Sequence, residues 1–228
     1  HGFVARKLCE LGVSHIFPPE AWEPELAANE WGHKYPELRG RAKTFTFGIM
    51  YQLTEQGAAG RLGCSLEEAH ILFQAFFTQI FPTLPDYFLR IQEEVLMTGM
   101  VHNVFNRRRH FPEVAILASL KYGTDIESVV RQAINMPIQS GGHDLHSLAH
   151  IVTERELSSW VKPVIEIHDS LVMEVQEDRL EEAAVAVKNL WESIACNTIL
   201  PSGKKLGWEI PVSVSYGKSF GALASPPE

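Results

Sequence analysis

RGRAKTFTFGIMY, residues 39–51, carries a four-residue repeat: Arg39, Lys43, Phe47 and Tyr51. Residues four apart share one face of an α-helix, so the spacing predicts a helix with two cations followed by two aromatics along one side. At about 1.5 Å of rise per residue the row extends about 18 Å. That suits an elongated ligand with a polyanionic end and a flat apolar end, such as a nucleoside triphosphate. Pro36, just ahead of the row, is tolerated in a first helical turn, where its missing N–H would have no partner. A helix N-terminus also favours anions. The plainer reading is an amphipathic surface helix whose cations are solvated and whose aromatics join the core.

Working outward, the first half of the chain reads as short helices in succession. Phe3, Leu8 and Leu11 recur at near-helical spacing in residues 2–13, whereas Pro18, Pro19 and Pro24 make 14–35 a mostly irregular connection, with a short helix at 25–29. Thr54 and Glu55 open a helix that ends near Gly60 or Gly63. Ser65 and Glu68 form a capping box ahead of Ala69, Phe73, Phe76 and Ile80. Pro82 stops that helix, and Pro85 to Met97 forms the next, closed by Gly99.

The second half mixes in strands. Val101 to Phe105 and Arg109 to Phe111 read as a hairpin around Asn106, and 125–160 as a long helix broken near Pro137 and at Gly141 and Gly142. VIEIH-DS-LVMEV, residues 164–175, is the clearest hairpin pattern. Leu180, Ala183, Ala184, Val187 and Leu190 mark a helix over 177–195, and the alternation in GWEIPVSVSYG, 207–217, predicts a closing strand. The expected class is α+β.

With 228 residues, 45% of them hydrophobic, the chain buries a substantial core. A net charge of −8 excludes a generally basic coat, so contact with nucleic acid must rest on local clusters such as Lys34 to Lys43 and Arg107 to Arg109. Cys9, Cys64 and Cys196 show no CxxC spacing and read as free thiols in a reducing compartment. Neither a membrane-spanning run nor a signal-peptide pattern is found, so a cytoplasmic location without membrane attachment is expected. The chain opens at His1 without an initiator Met, which reads as a fragment or a processed piece. Neither GxSxG nor a Walker A loop occurs, against a serine hydrolase or a P-loop enzyme.

Further constellations carry possible chemistry. His168-Asp169-Ser170 sits at the apex of the second hairpin, where a carboxylate is held rigidly enough to serve a metal; the same residue types are also ordinary turn formers. Arg131, Asn135 and Gln139 again recur every fourth residue and suit a nucleic-acid minor groove, or else a solvated face. Arg107, Arg108 and Arg109 suit a phosphate backbone, or an exposed charge cluster. His143, His146 and His150 share a helical face, a spacing compatible with a metal and equally with polar packing.

In this order, the motifs resemble the family A DNA polymerases, the family of bacterial DNA polymerase I. Its fingers motif carries Arg, then Lys, then Phe or Tyr, then Tyr at four-residue steps, matched by Arg39, Lys43, Phe47 and Tyr51. Its palm carries a His-Asp turn, matched by His168 and Asp169. RQAINMPIQ, 131–139, resembles its Arg, Asn and Gln row, and RRRHFP, 107–112, its paired arginines before a proline. His1 is similar to the histidine that precedes the fingers. Gln52 stands where relatives usually carry glycine, and Ser170 where many carry glutamate, although some phage-type members also read His-Asp-Ser.

The resemblance implies template-dependent transfer of nucleotides from dNTPs to a primer 3′ end by a two-metal mechanism with Mg²⁺. Arg39 and Lys43 would hold the triphosphate and offset transition-state charge, Phe47 would pack by the sugar, and Tyr51 would stack near the templating pair, with His1 also at the nucleotide. Phe at 47 implies discrimination against dideoxynucleotides. Arg107, Arg108, Arg131, Asn135, Gln139 and His168 would touch primer and template, and Asp169 would be the metal ligand. The expected layout is a palm-to-fingers connection over 1–35, helical fingers over 36–99 and the C-terminal part of a palm over 100–228, with a small antiparallel sheet. The location implied is DNA-associated, in a bacterial or phage-infected cell. The family's first metal-binding aspartate, in a DYSxxELR-like strand, has no counterpart here and by the family's layout belongs just before His1. The alternative is therefore a chain silent on its own, a nucleic-acid-binding or partner-completing half of a split polymerase. A purely structural helical protein would need all these motifs to have arisen in order by chance.

Overall fold

The computed structural model describes residues 1–12, 14–120 and 123–224. They divide into two compact units, His1–Val101 with His110–Asn135, and His102–Arg109 with Met136–Glu228. The class is α+β: helices with two two-stranded sheets.

In the first unit, α1 (Gly2–Leu11) buries Val4, Ala5, Leu8 and Cys9 and ends at Gly12 in the left-handed region. Burial pushes the Cys9 thiol up to about 11. The three cysteines are free thiols. The connection that follows holds a 3₁₀ turn at Pro19–Ala21 and then α2 (Ala28–Lys34). This helix begins later than the 25–29 expected from sequence, because Glu30 Oε2 accepts from the Ala27 N–H (3.1 Å) and fixes the start there. Trp31, fully buried, donates Nε1–H to the Ala21 carbonyl (2.7 Å) and ties the irregular segment down.

The helix α3 (Pro36–Met50) turns Ala42, Phe45, Gly48 and Ile49 inward. After it come α4 (Glu55–Leu62), capped by Thr54 Oγ1, and α5 (Leu66–Ala75), which opens with the expected capping box: Ser65 Oγ accepts from Glu68 N–H and Glu68 Oε2 from Ser65 N–H. A π-helical turn at Phe76–Ile80 follows, then α6 (Leu84–Thr98), closed by left-handed Gly99. The core of this unit is aromatic: Phe45 meets Phe73 and Phe76 edge-on at 5.4 and 5.5 Å.

Glu68 joins two segments, since its Oε1 also accepts from Ser14 Oγ (3.0 Å) and meets His15 Nδ1. The Ser65 backbone N–H first, then His15, hold its carboxyl down to about 2, from an ordinary 4.5. A carboxylate with a depressed folded-state value stabilises above its unfolded value, and that stability is lost as pH falls through the folded one. Glu68→Gln is therefore expected to fall less steeply in stability than the parent chain between about pH 4.5 and pH 2.5. Urea unfolding across that window tests this, and parallel slopes would refute it.

The strands β1 (Met100–His102) and β2 (Arg108–His110) pair with each other, with Asn106 left-handed between them (φ 62°). Past α7 (Glu113–Leu120), α8 (Gly123–Leu157) runs through Pro137, Gly141 and Gly142 without the expected break. A proline inside a helix costs about 3 kcal/mol. Burial outweighs that cost here: Val129, Val130, Ala133 and Ile134 lie buried before the proline, and Leu145 and Ala149 after it. Tyr87 Oη donates to the Ile134 carbonyl (2.7 Å) beside the proline, and burial pushes the Tyr87 phenol up to about 12.

In the second unit, β3 (Val161–Ile167) and β4 (Ser170–Val175) form an antiparallel hairpin, with Val161 opposite Val175 and Ile167 opposite Ser170. Its register slips between Pro163 and Ile165, where proline has no N–H to give. Val161 packs with Ala183 and Val187 of α9 (Leu180–Asn197). Val164 and Ile165 stay 57% and 53% exposed. The closing strand is not formed: among the described residues 207–217 lie outside any named strand, and Tyr216 makes only an isolated bridge to Ala224. Alternation alone does not make a strand; a ladder partner is required, and Val212 N–H goes instead to Glu192 Oε1 (3.0 Å).

Candidate functional site

The repeat in α3 divides the helix cleanly. Arg39, Lys43, Phe47 and Tyr51 are all exposed, the two aromatics by 42% and 54%, whereas Phe45 and Ile49 between them are buried. The aromatics of the row thus face outward, against the plainer reading that places them in the core. Lys43 Nζ lies 5.8 Å from the Phe47 ring centroid, and the His1 ring stands 5.1 Å from the same ring. His1, Lys43 and Phe47 are thereby brought together. Neither Arg39 nor Lys43 has a carboxylate ion pair among the described residues. The Arg39 stem lies against Gly32, where a Cβ would fall 2.9 Å from Arg39 Cδ; only glycine leaves the guanidinium that path. Gly32 was not legible as a site residue, because nothing local marks a glycine that gives way to a side chain seven positions on.

Asn135 is 7% exposed and bonded twice: Nδ2 donates to the Met50 carbonyl (2.8 Å) and to the Arg131 carbonyl (3.1 Å). Met50 closes the last turn of α3, so both Nδ2 hydrogens of this side chain go to helix carbonyls. Arg131 is half-buried and 3.8 Å from Glu127, and Gln139 is exposed in the second unit.

Arg107, one of the run of arginines expected at a phosphate backbone, is ion-paired and its side chain is exposed. Its Nε and Nη2 reach Asp144 Oδ1 at 2.8 and 2.6 Å, and Asn103 Nδ2 donates to Asp144 Oδ2 (2.6 Å). Burial alone would raise the Asp144 carboxyl; the bonds from Arg107 and Asn103 outweigh it and hold the group below its ordinary value. Asn103 Oδ1 also accepts from the N–H groups of Phe105 and Arg107, which shapes the loop. No sequence signal joined Asn103 to Asp144, which stand 41 positions apart. Arg108 is exposed on β2.

His168 and Asp169 form the two-residue turn between β3 and β4, both exposed, with His168 left-handed at φ 56°. The row His143, His146 and His150 faces Glu166 of β3, at 4.0, 3.0 and 4.0 Å from its carboxylate oxygens. His146 is 7% exposed in its side chain, and its Nδ1 stands off the hydrogen-bonding direction to Glu166. Among the described residues no group of three or more His, Cys, Asp or Glu side chains is placed to hold a metal ion. The histidine row thus packs around the Glu166 carboxylate, and Asp169 stands exposed at its turn. A pair of Mg²⁺ ions does not fit one carboxylate. No helix among the described residues is long and apolar enough to cross a membrane.

Over 164 residues the chain is 34% identical to the thermostable DNA polymerase I of Thermus filiformis, covering 69% of this chain and 18% of that protein. With DNA polymerase I of Mycobacterium leprae it is 29% identical over 192 residues, covering 83% of this chain and 20% of that protein. The chain thus spans about a fifth of the length of the curated relatives it matches. In fold it is similar to the POL domain of Pol1 from M. smegmatis, solved in complex with DNA primer-template and dNTP, with a TM-score of 0.63 and 24% identity over 84% of this chain and 35% of that one. The sequence profile of DNA polymerase family A matches residues 25–222, a span that takes in every motif above except His1, and the chain belongs to that family.

Proposed function

We propose that this chain is the nucleotide-binding and primer-binding part of a DNA-directed DNA polymerase, and that it transfers nucleotides only when a second metal-binding carboxylate joins Asp169. The observation that carries the reading is the outer face of α3: two cations without a carboxylate ion pair among the described residues, followed by two exposed aromatics, on a helix whose other face is locked in an aromatic core. Exposed aromatics in line with uncompensated charge fit a ligand with the same order of parts. Lys43 and Arg39 hold the triphosphate and offset charge that develops at the transferring phosphoryl group. Phe47 packs against the sugar and Tyr51 against the templating pair. Arg108, Gln139 and His168 contact primer and template directly, while Arg107 and Arg131 contribute from ion-paired positions. DNA primer-template and dNTP are the ligands of the solved POL domain of similar fold, which supports the ligand class.

Asp169, which belongs to no metal-holding group among the described residues, and the exposed Val164 and Ile165 of β3 favour the partner-completing reading for the chain by itself: the strand face and the metal set both call for residues beyond the described ones. Primer extension on primed DNA with Mg²⁺ and all four dNTPs, run beside Asp169→Ala, tests this. The expected result is retention of primed DNA and dNTP by both chains and extension by neither. Extension that disappears in Asp169→Ala would mean that a complete metal set exists within this chain. A folded chain that retains neither ligand would refute the reading of α3.

A further inference from the structure

We propose that Asn135 is a positioning residue for Tyr51, acting through the C-terminus of α3; its bearing on nucleotide choice rests on the nucleotide-binding reading of that helix. Tyr51 is half exposed, so little packing holds its ring, and its place is set by the backbone that ends the helix. That end is closed by two reciprocal bonds, Leu53 N–H to the Gly48 carbonyl (2.8 Å) and Gln52 N–H to the Ile49 carbonyl (2.9 Å). This is the Schellman arrangement, in which the residue after the cap is left-handed and usually glycine. Leu53 packs back on Gly48, where a Cβ would fall 2.5 Å from Leu53 Cδ2. Here the left-handed residue is Gln52, at φ 55°, a conformation that disfavours any side chain.

The cap is therefore weak by its own chemistry, and a second tie holds it. The last carbonyls of a helix lack intrahelical partners, and Asn135 Nδ2 donates to the Met50 carbonyl, one residue before Tyr51. Asn135 is itself buried and braced on the Arg131 carbonyl, so the tie is rigid. Asn135 and the Gln52 cap are thus two restraints on one helix end, and losing either shifts the burden to the other.

Amide hydrogen exchange at Gln52 and Leu53 tests this on the whole chain, read relative to the core amides of Phe45 and Leu72 so that global unfolding cancels. Asn135→Ala and the near-isosteric Asn135→Asp, which has no donor to give Met50, should each speed exchange at 52 and 53 by about five- to tenfold. Adding Gln52→Gly to Asn135→Ala should bring it back to within about twofold of the parent. Unchanged relative exchange in both single variants, or no recovery with Gln52→Gly, would overturn the proposal. A second readout is the affinity gap between correct and mismatched dNTP on primed DNA. It should narrow in Asn135→Ala and recover with Gln52→Gly, a rescue that direct contact of Asn135 with a base would not permit. A narrowed gap that Gln52→Gly leaves unrestored would assign Asn135 to the nucleic acid instead. Should the exchange results hold while the parent chain shows no such gap, the helix-end role stands and the nucleotide-binding reading of α3 falls.

Discussion

Lys43→Ala is expected to weaken dNTP binding, measured by calorimetry with primed DNA present, by about 10- to 100-fold, the range set by one charge-assisted contact to phosphate. The unfolding midpoint should stay where it is, because Lys43 is exposed and makes no ion pair among the described residues. Lys43 Nζ stands 5.8 Å from the Phe47 ring centroid, a contact worth little at an exposed position. Raising the salt concentration should shrink the difference between the two chains, since ions screen exposed charges over about 10 Å at 0.1 M. Arg39→Ala should act in the same direction. The double variant should lose less than the sum, because the two cations serve one ligand group. A dNTP affinity unchanged in Lys43→Ala would remove the triphosphate from this face of α3.

Phe45→Ala, two positions from Lys43, is expected to do the reverse. Phe45 is fully buried and edge-on to Phe73 and Phe76, so truncation removes the buried ring, leaves a cavity and breaks two aromatic contacts. Such changes cost about 3–5 kcal/mol. Urea unfolding should show the midpoint falling accordingly with the slope little changed. At temperatures where the variant remains folded, dNTP affinity should stay within about threefold of the parent, since the ring faces the core. A loss under about 1 kcal/mol would mean that the aromatic cluster repacks around the gap. Together the two variants separate the faces of α3: one changes binding without stability, the other stability without binding.

The face pattern of α3 was legible because it depends on spacing alone. A helix places residues at fixed angles whatever surrounds it, so Arg39, Lys43, Phe47 and Tyr51 had to align once the helix formed. The capping box at Ser65 and Glu68 and the hairpin over 164–175 were legible for the same reason, since their hydrogen bonds close within a few residues; the turn itself falls at His168 and Asp169, one residue before the Asp169-Ser170 pair that the pattern suggests, because Ser170 pairs with Ile167. Where the reading went astray, distant groups decided. A proline and two glycines argue for a broken helix, but α8 continues because buried neighbours on both sides of Pro137 hold it. The alternation in 207–217 argues for a strand, but Val212 is held by Glu192 in place of a ladder partner.

The roles of individual site residues divide along the same line. Local chemistry determined which side chains share the outer face of α3 and which carboxylate stands at the hairpin turn; the order of the motifs along the chain carried the resemblance to the family. Only the tertiary structure decided that Arg107 is occupied by Asp144, that the histidine row gathers on Glu166, and that Asn135 ties down the end of α3. These contacts join residues from 16 to 85 positions apart. A partner that remote is chosen by the packing of whole elements, which no local spacing records.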